Sequence, residues 1–204
     1  MRIETVKATA LGFLLLFMSS PGIAGHSFIE FDDDENMVLS GPFNVTIPRP
    51  EAAVGALGPE HYSPSFLDEN LKISRAAYHA ADQFVVVQIE QTNAGAGSLT
   101  NVNLPIMELA GEEFRAREGC LDISQEELDA DDDPLFEFVE KMNVQIVPAV
   151  QAMQLFVVND DGTAEGIILF LRNVPGGCDS MTEKFQAKFK SDFESFIESI
   201  RAAN

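Results

Sequence analysis

The stretch "QLFVVNDDGTAEGIILFLR", residues 154–172, decides the fold. "QLFVVN" (154–159) and "GIILFLR" (166–172) are short apolar runs rich in β-branched and aromatic residues, and "DDGT" between them is a turn signal. Two strands joined so closely must run antiparallel. Upstream, "NVQIVPAV" (143–150) predicts another strand. Downstream, Ser180 and Glu183 fit an S-x-x-E capping box that opens a C-terminal helix. Phe185, Phe189, Phe193, Phe196, Ile197 and Ile200 then recur at helical spacing on one face. Such a stripe suits packing on a sheet better than a lipid surface or a partner. Lys184, Lys188 and Lys190 flank it as a solvated face whose stems can lie along the apolar residues.

Further upstream the same pattern continues. "LKISRAAYH" (71–79) and "QFVVVQIEQT" (83–92) predict two strands, the second apolar on both faces through Phe84–Val87 and therefore central. "FNVTI" (43–47) alternates Phe43, Val45 and Ile47 and is closed by Pro48. Residues 49–70, studded with proline and glycine, predict a long surface connection. "NAGAGSLTN" (93–101) predicts a flexible joint, without the lysine or spacing of a phosphate loop. Pro105 to Glu118 predicts a helix, with Asn103 as cap and Pro105 in its first turn. Strands linked by short turns, interrupted by few helices, give an α+β class: an antiparallel sheet covered by helices, including the C-terminal amphipathic one.

The opening strand ending in proline ("FNVTIP"), the paired hairpins and the closing helix "FESFIESIR" resemble the PsbP-like exported proteins. That resemblance implies helices over an antiparallel sheet and a non-catalytic accessory or binding role.

The N-terminus predicts export. Arg2 and Lys7 precede an apolar run from Ala8 to Met18, followed by Pro21, Gly22 and Ala24. This is the layout of a signal peptide over residues 1–24, leaving residues 25–204 as one domain. The run is about half the ~20 residues a membrane span needs. Residues 25–204 carry 11 Lys+Arg against 32 Asp+Glu, a net charge of −21. Such a surface repels phosphate backbones and anionic headgroups, which argues against nucleic-acid or membrane-surface binding and favours solubility or cationic partners. With 46% apolar residues the chain still has a core to bury. Cys120 and Cys178 predict a disulfide rather than two buried thiols, since an exported chain oxidises such a pair.

Metal chemistry has two candidate places. Asp129, Asp131, Asp133, Glu137 and Glu140 fall at ligand positions of an EF-hand loop, but its sixth position is Pro134 where the turn needs glycine. Asp133 capping a helix with Pro134 in its first turn accounts for every residue. "FDDDEN" (31–36) reads as a solvated acidic run. Cleavage after Gly25 would make His26 the N-terminus, able to hold copper with His61 or His79 as in lytic polysaccharide monooxygenases and small copper carriers. G-x-S-x-G and H-E-x-x-H are absent. Asn44-Val45-Thr46 is a glycosylation sequon in a eukaryotic host. The expectation is an exported, non-enzymatic accessory or binding protein with no catalytic residues, metal or cofactor. The alternative is a metal-dependent (copper or calcium) secreted enzyme or metal carrier.

Overall fold

The structure, a computed structural model, describes residues 27–63, 65–66, 69–92, 103–126, 138 and 140–204. Residues 1–24, read above as a signal peptide, His26, residues 93–101 and Asp129 to Glu137 lie outside them.

The hairpin read from residues 154–172 is the centre of the molecule. Strands β11 (Ala149–Val158) and β12 (Ala164–Asn173) pair from Val150↔Asn173 to Val158↔Glu165. Their turn is held by side chains. Asp161 Oδ1 accepts from the Thr163 N–H and hydroxyl, and Asn159 Oδ1 accepts from the Ala164 N–H. Gly162 takes the positive φ of 70° that the turn requires. Strand β11 begins only at Ala149, so the two strands expected at 143–150 and 154–159 are one. Residues 143–148 form a loop into it.

Around this pair stands a seven-stranded antiparallel sheet in the order β4-β7-β8-β12-β11-β10-β9. It adds β4 (Gly55–Tyr62), β7 (Lys72–His79), β8 (Gln83–Gln91), β9 (Ile106–Leu109) and β10 (Glu112–Asp122). Strand β8 is internal, as its two-sided apolar run requires. A second sheet holds β1 (Ile29–Phe31), β2 (Met37–Leu39) and β3 (Val45–Ile47), and β5 (Ser65–Phe66) pairs with β6 (Glu69–Asn70). The fold is therefore mostly β with one long helix, α1 (Glu183–Ala203). Plural helices covering the sheet overstate it.

Two expectations fail here. Residues 105–118 are the β9–β10 hairpin, not a helix, turning at Ala110 (φ 56°) and Gly111 (φ 80°). Their Glu, Leu, Ala and Arg are good helix formers. The alternation of buried Phe114 with half-exposed Arg115, and the long ladder of β10 with β11, override that preference. Residues 49–70 are not simply a connection, because β4 forms an edge of the sheet across a register shift between Leu57 and Glu60. Pro59 disguises the strand in the sequence, yet proline is tolerated at an edge bulge. Gly58 (φ 88°) is needed there, since a Cβ would lie 2.7 Å from the Arg75 carbonyl oxygen.

Helix α1 lies on one face of the main sheet, together with the small sheet. Phe189, Phe193, Phe196, Ile197 and Ile200 are buried, and the Phe170 ring sits 5.3–5.6 Å from those of Phe189, Phe193 and Phe196. The stripe packs on the sheet as read. Its cap is Thr182, whose Oγ1 accepts the Phe185 N–H (3.2 Å). Ser180 is not the cap, because it belongs to a 3₁₀ turn (Cys178–Ser180) and its hydroxyl donates to the Gly177 carbonyl. Ion pairs clamp the helix as well. The buried Arg172 guanidinium bonds Asp192 (2.6 Å), which also takes Lys188 (2.8 Å), while Lys190 reaches Glu118 (3.5 Å). Burial raises the Asp192 carboxyl, but the bonds from Lys188 and Arg172 together bring it below its usual range. At the far end, the Asn204 side-chain amide makes both bonds to the Thr46 backbone, fixing α1 to β3.

On the opposite face, the cover among the described residues is local. Phe138, Met142 and Ile146 pack over Ala77, Phe84, Val86, Val150 and Leu171 near β7 and β8. Phe138 also takes the Arg75 guanidinium over its ring at 5.5 Å, and Lys141 pairs with Glu60 (2.9 Å).

Candidate functional site

That second face carries a row of residues running across all seven strands. The register places Glu60, Arg75, Gln88, Ile167, Phe156, Arg115 and Ile106 side by side. Polar side chains thus cross the middle of an otherwise apolar surface. One step along the strands, Glu90 of β8 stands directly opposite Glu165 of β12.

These groups form a chain. Arg75 Nε donates to Gln88 Oε1 (2.5 Å), and Gln88 Nε2 donates to Glu90 Oε1. Glu165 is 4% exposed, and its Oε1 has no hydrogen-bond partner among the described residues. Two carboxylates facing across a ladder repel, and burial adds the cost of desolvation. Burial first, and the Glu90 carboxylate second, push Glu165 up to about 8. Glu165 is therefore a protonated acid near neutral pH. It lies too deep for substrate to reach, so its chemistry acts on the stability of the sheet.

Where the row reaches β9–β11, a groove opens among the described residues. The groove, of about 260 Å³, is lined by Ile106, Gly111, Glu112, Glu113, Arg115, Phe156, Val158 and Asp160. Ile106 is 58% exposed, an unusual position for a large apolar side chain, while Phe156 is nearly buried and forms floor. Glu113 and Asp160 put two carboxylates around it against the one guanidinium of Arg115, while Glu112, opposite the core residue Leu109, borders the groove with its side chain on the helix side. The volume falls just below the range of small-molecule pockets. It suits one or two side chains of a larger ligand.

The residues singled out in the sequence are placed differently. Cys120 and Cys178 are joined, with Cα atoms 5.8 Å apart, linking β10 to the turn before α1. Beside the bond, Asp122 Oδ1 accepts the Cys178 N–H (2.8 Å). His61 and His79 do not converge: His61 pairs with Ser74 near one end of β7, and His79 pairs with Gly55 at the other. His61 Nδ1 bonds the Ser74 hydroxyl (2.8 Å), which also accepts the Phe28 N–H (3.1 Å). This is an anchor for the segment entering β1, and Ser74 is fully buried. In "FDDDEN", Asp32 accepts from the Asp34 and Asn36 N–H groups and the Asn36 amide, so the acidic run is a tight β1–β2 turn. Those bonds, the Asn36 side chain's foremost, lower the Asp32 carboxyl. No group of three or more His, Cys, Asp or Glu suited to a metal occurs among the described residues.

The groove was hidden in the sequence because residues 105–118 look helical. The Glu90–Glu165 pair left a signal, a glutamate near the end of one apolar run and another just before the next, which becomes informative only with the β8–β12 register. No protein-family model matches the chain, and neither a curated protein nor a solved structure matches it.

Proposed function

We propose that this is an exported, non-enzymatic binding protein whose groove between β9 and β11 receives cationic, partly apolar groups of a partner. The observation that carries this reading is an apolar floor, Ile106, Phe156 and Val158, with the carboxylates of Glu113 and Asp160 at its rim. An aliphatic stem fits the floor and its ammonium or guanidinium meets the carboxylates. The chain's charge of −20 would draw such a partner in. Export is supported by the Cys120–Cys178 bond, and no helix among the described residues is long and apolar enough to cross a membrane. The accessory role implied by the resemblance to PsbP-like proteins is of the same kind.

The test is a titration of ¹⁵N-labelled protein with the peptide acetyl-Val-Lys-Val-Lys-Val-Lys-amide. Saturable shifts should centre on Ile106, Glu113, Val158 and Asp160, and the Val-Glu counterpart should give none. Glu113→Lys should weaken binding at least tenfold. Glu198→Lys, an equal charge change at an exposed helix position, should weaken it by less than threefold. Equal losses in both variants would reduce the effect to the general field and contradict a site in the groove.

A further inference from the structure

The groove borders the end of the sheet, and among the described residues that end is an open strand edge. Strand β9 is last in the order, pairing with β10 alone. The Ala116 N–H donates to the Pro105 carbonyl (2.8 Å). Antiparallel bonding alternates from there, so Met107 and Leu109 bond toward β10, while the N–H and C=O groups of Ile106 and Glu108 point outward. These outward groups meet no partner among the described residues.

The opposite edge is guarded. Strand β4 carries a bulge, Gly58 and Pro59, and Glu60 is tied to Lys141. Such devices blunt an edge against added strands. Strand β9 has none of them. Its sequence is Ile-Met-Glu-Leu, unbroken by proline, bulge or lysine. Ile106 and Glu108 lie on the groove side, with Glu108 opposite Glu113, while Met107 packs against the core on the helix side.

We propose, resting on the groove reading above, that the outer edge of β9 takes an extended segment of a partner protein as an eighth strand, with basic and apolar residues alternating. The outward N–H and C=O groups of Ile106 and Glu108 supply the backbone bonds. Every second side chain of the added strand lies on the groove side, where Glu108 and Glu113 face each other, with no ion pair to either among the described residues, beside exposed Ile106. Lysine or arginine there relieves that repulsion and lays its stem on Ile106. The intervening side chains lie beside Met107 and are best apolar. The charge pattern on one side and the core on the other thus select an alternating sequence.

The experiment compares the Val-Lys hexapeptide with two derivatives, one N-methylated at the three valine amides and one at the three lysine amides. A strand on the β9 edge uses only alternate amides, so one derivative should bind at least tenfold more weakly and the other within threefold. Hydrogen exchange at the Ile106 and Glu108 amides should slow at least tenfold with the parent peptide. Met107 and Leu109, already bonded to β10, should change less. Both derivatives binding like the parent, with no slowing at Ile106 and Glu108, would overturn strand addition and leave the groove reading intact. Failure of all three peptides to bind would overturn both. Slow exchange at Ile106 and Glu108 without peptide would show the edge already occupied and would also overturn the proposal.

Discussion

The two faces of the seven-stranded sheet are made by the same strands and have opposite fates. On one, Phe170 and its neighbours meet the phenylalanine stripe of α1 and the small sheet, and the surface closes. On the other, a row with Arg75, Gln88 and Arg115, and beside it Glu90 and Glu165, interrupts the apolar pattern, and cover is found near β7 and β8. Where successive rows are apolar, a helix can seal the sheet with a gain of about 2 kcal/mol for each large side chain it buries. Where charges cross the rows, burial carries a desolvation cost, which Arg75 and Glu165 bear while Arg115 stays half-exposed. The difference separates a face closed by a helix from the face on which the proposed binding groove lies.

Truncation should break the comparison most visibly on the closed face. Phe189 is fully buried against Phe170, so Phe189→Ala should cost about 3–5 kcal/mol in urea unfolding. A cost below about 1 kcal/mol would mean that α1 does not close the sheet. The next effect is a pH dependence on the other face. Glu165 takes up its proton more readily folded, near 8, than unfolded, near 4.5. Its contribution is complete below pH 4.5 and is lost as pH rises through about 8, a few kcal/mol in all. Glu165→Gln, neutral throughout, should lose this slope and exceed the native protein in stability above pH 8. Parallel stability curves for the two proteins would refute it.

The covalent clamp comes next. Cys120→Ser combined with Cys178→Ser should lower stability by about 2–4 kcal/mol, given the 58 residues of sequence between the cysteines. Thiol titration of the native protein should find no free thiol. The smallest effect on folding belongs to the groove. Glu113 is exposed and faces Glu108, so Glu113→Lys should leave stability within about 0.5 kcal/mol or raise it slightly.

How much of this was legible follows from the kind of signal each segment carries. The 154–172 hairpin, the strands of residues 71–79 and 83–92 and the helical stripe all combine propensity, period and turn chemistry in one direction, and each was read correctly. The Cys120–Cys178 pairing followed because two cysteines allow one intramolecular bond. Residues 105–118 failed because local preference and final structure disagree. Between Met107 and Glu118 there is no β-branched residue, and only the ladder with β11 makes the segment a strand. Strand β4 failed because Gly58 and Pro59, which end most strands, here build an edge bulge. The helix cap shifted two residues, from Ser180 to Thr182, because both hydroxyls stand before the same stripe. The candidate site was the least legible part. Its residues come from strands distant in sequence, and its floor and rim exist only once β9, β10 and β11 lie side by side.

The most direct test of the division between the faces is the affinity of Glu113→Lys for the Val-Lys hexapeptide, measured on samples whose thermal melts show them equally folded. A native-like melt with binding weakened at least tenfold is the predicted result. Unchanged affinity in a fully folded variant would contradict the assignment of the open end of the sheet as the binding surface.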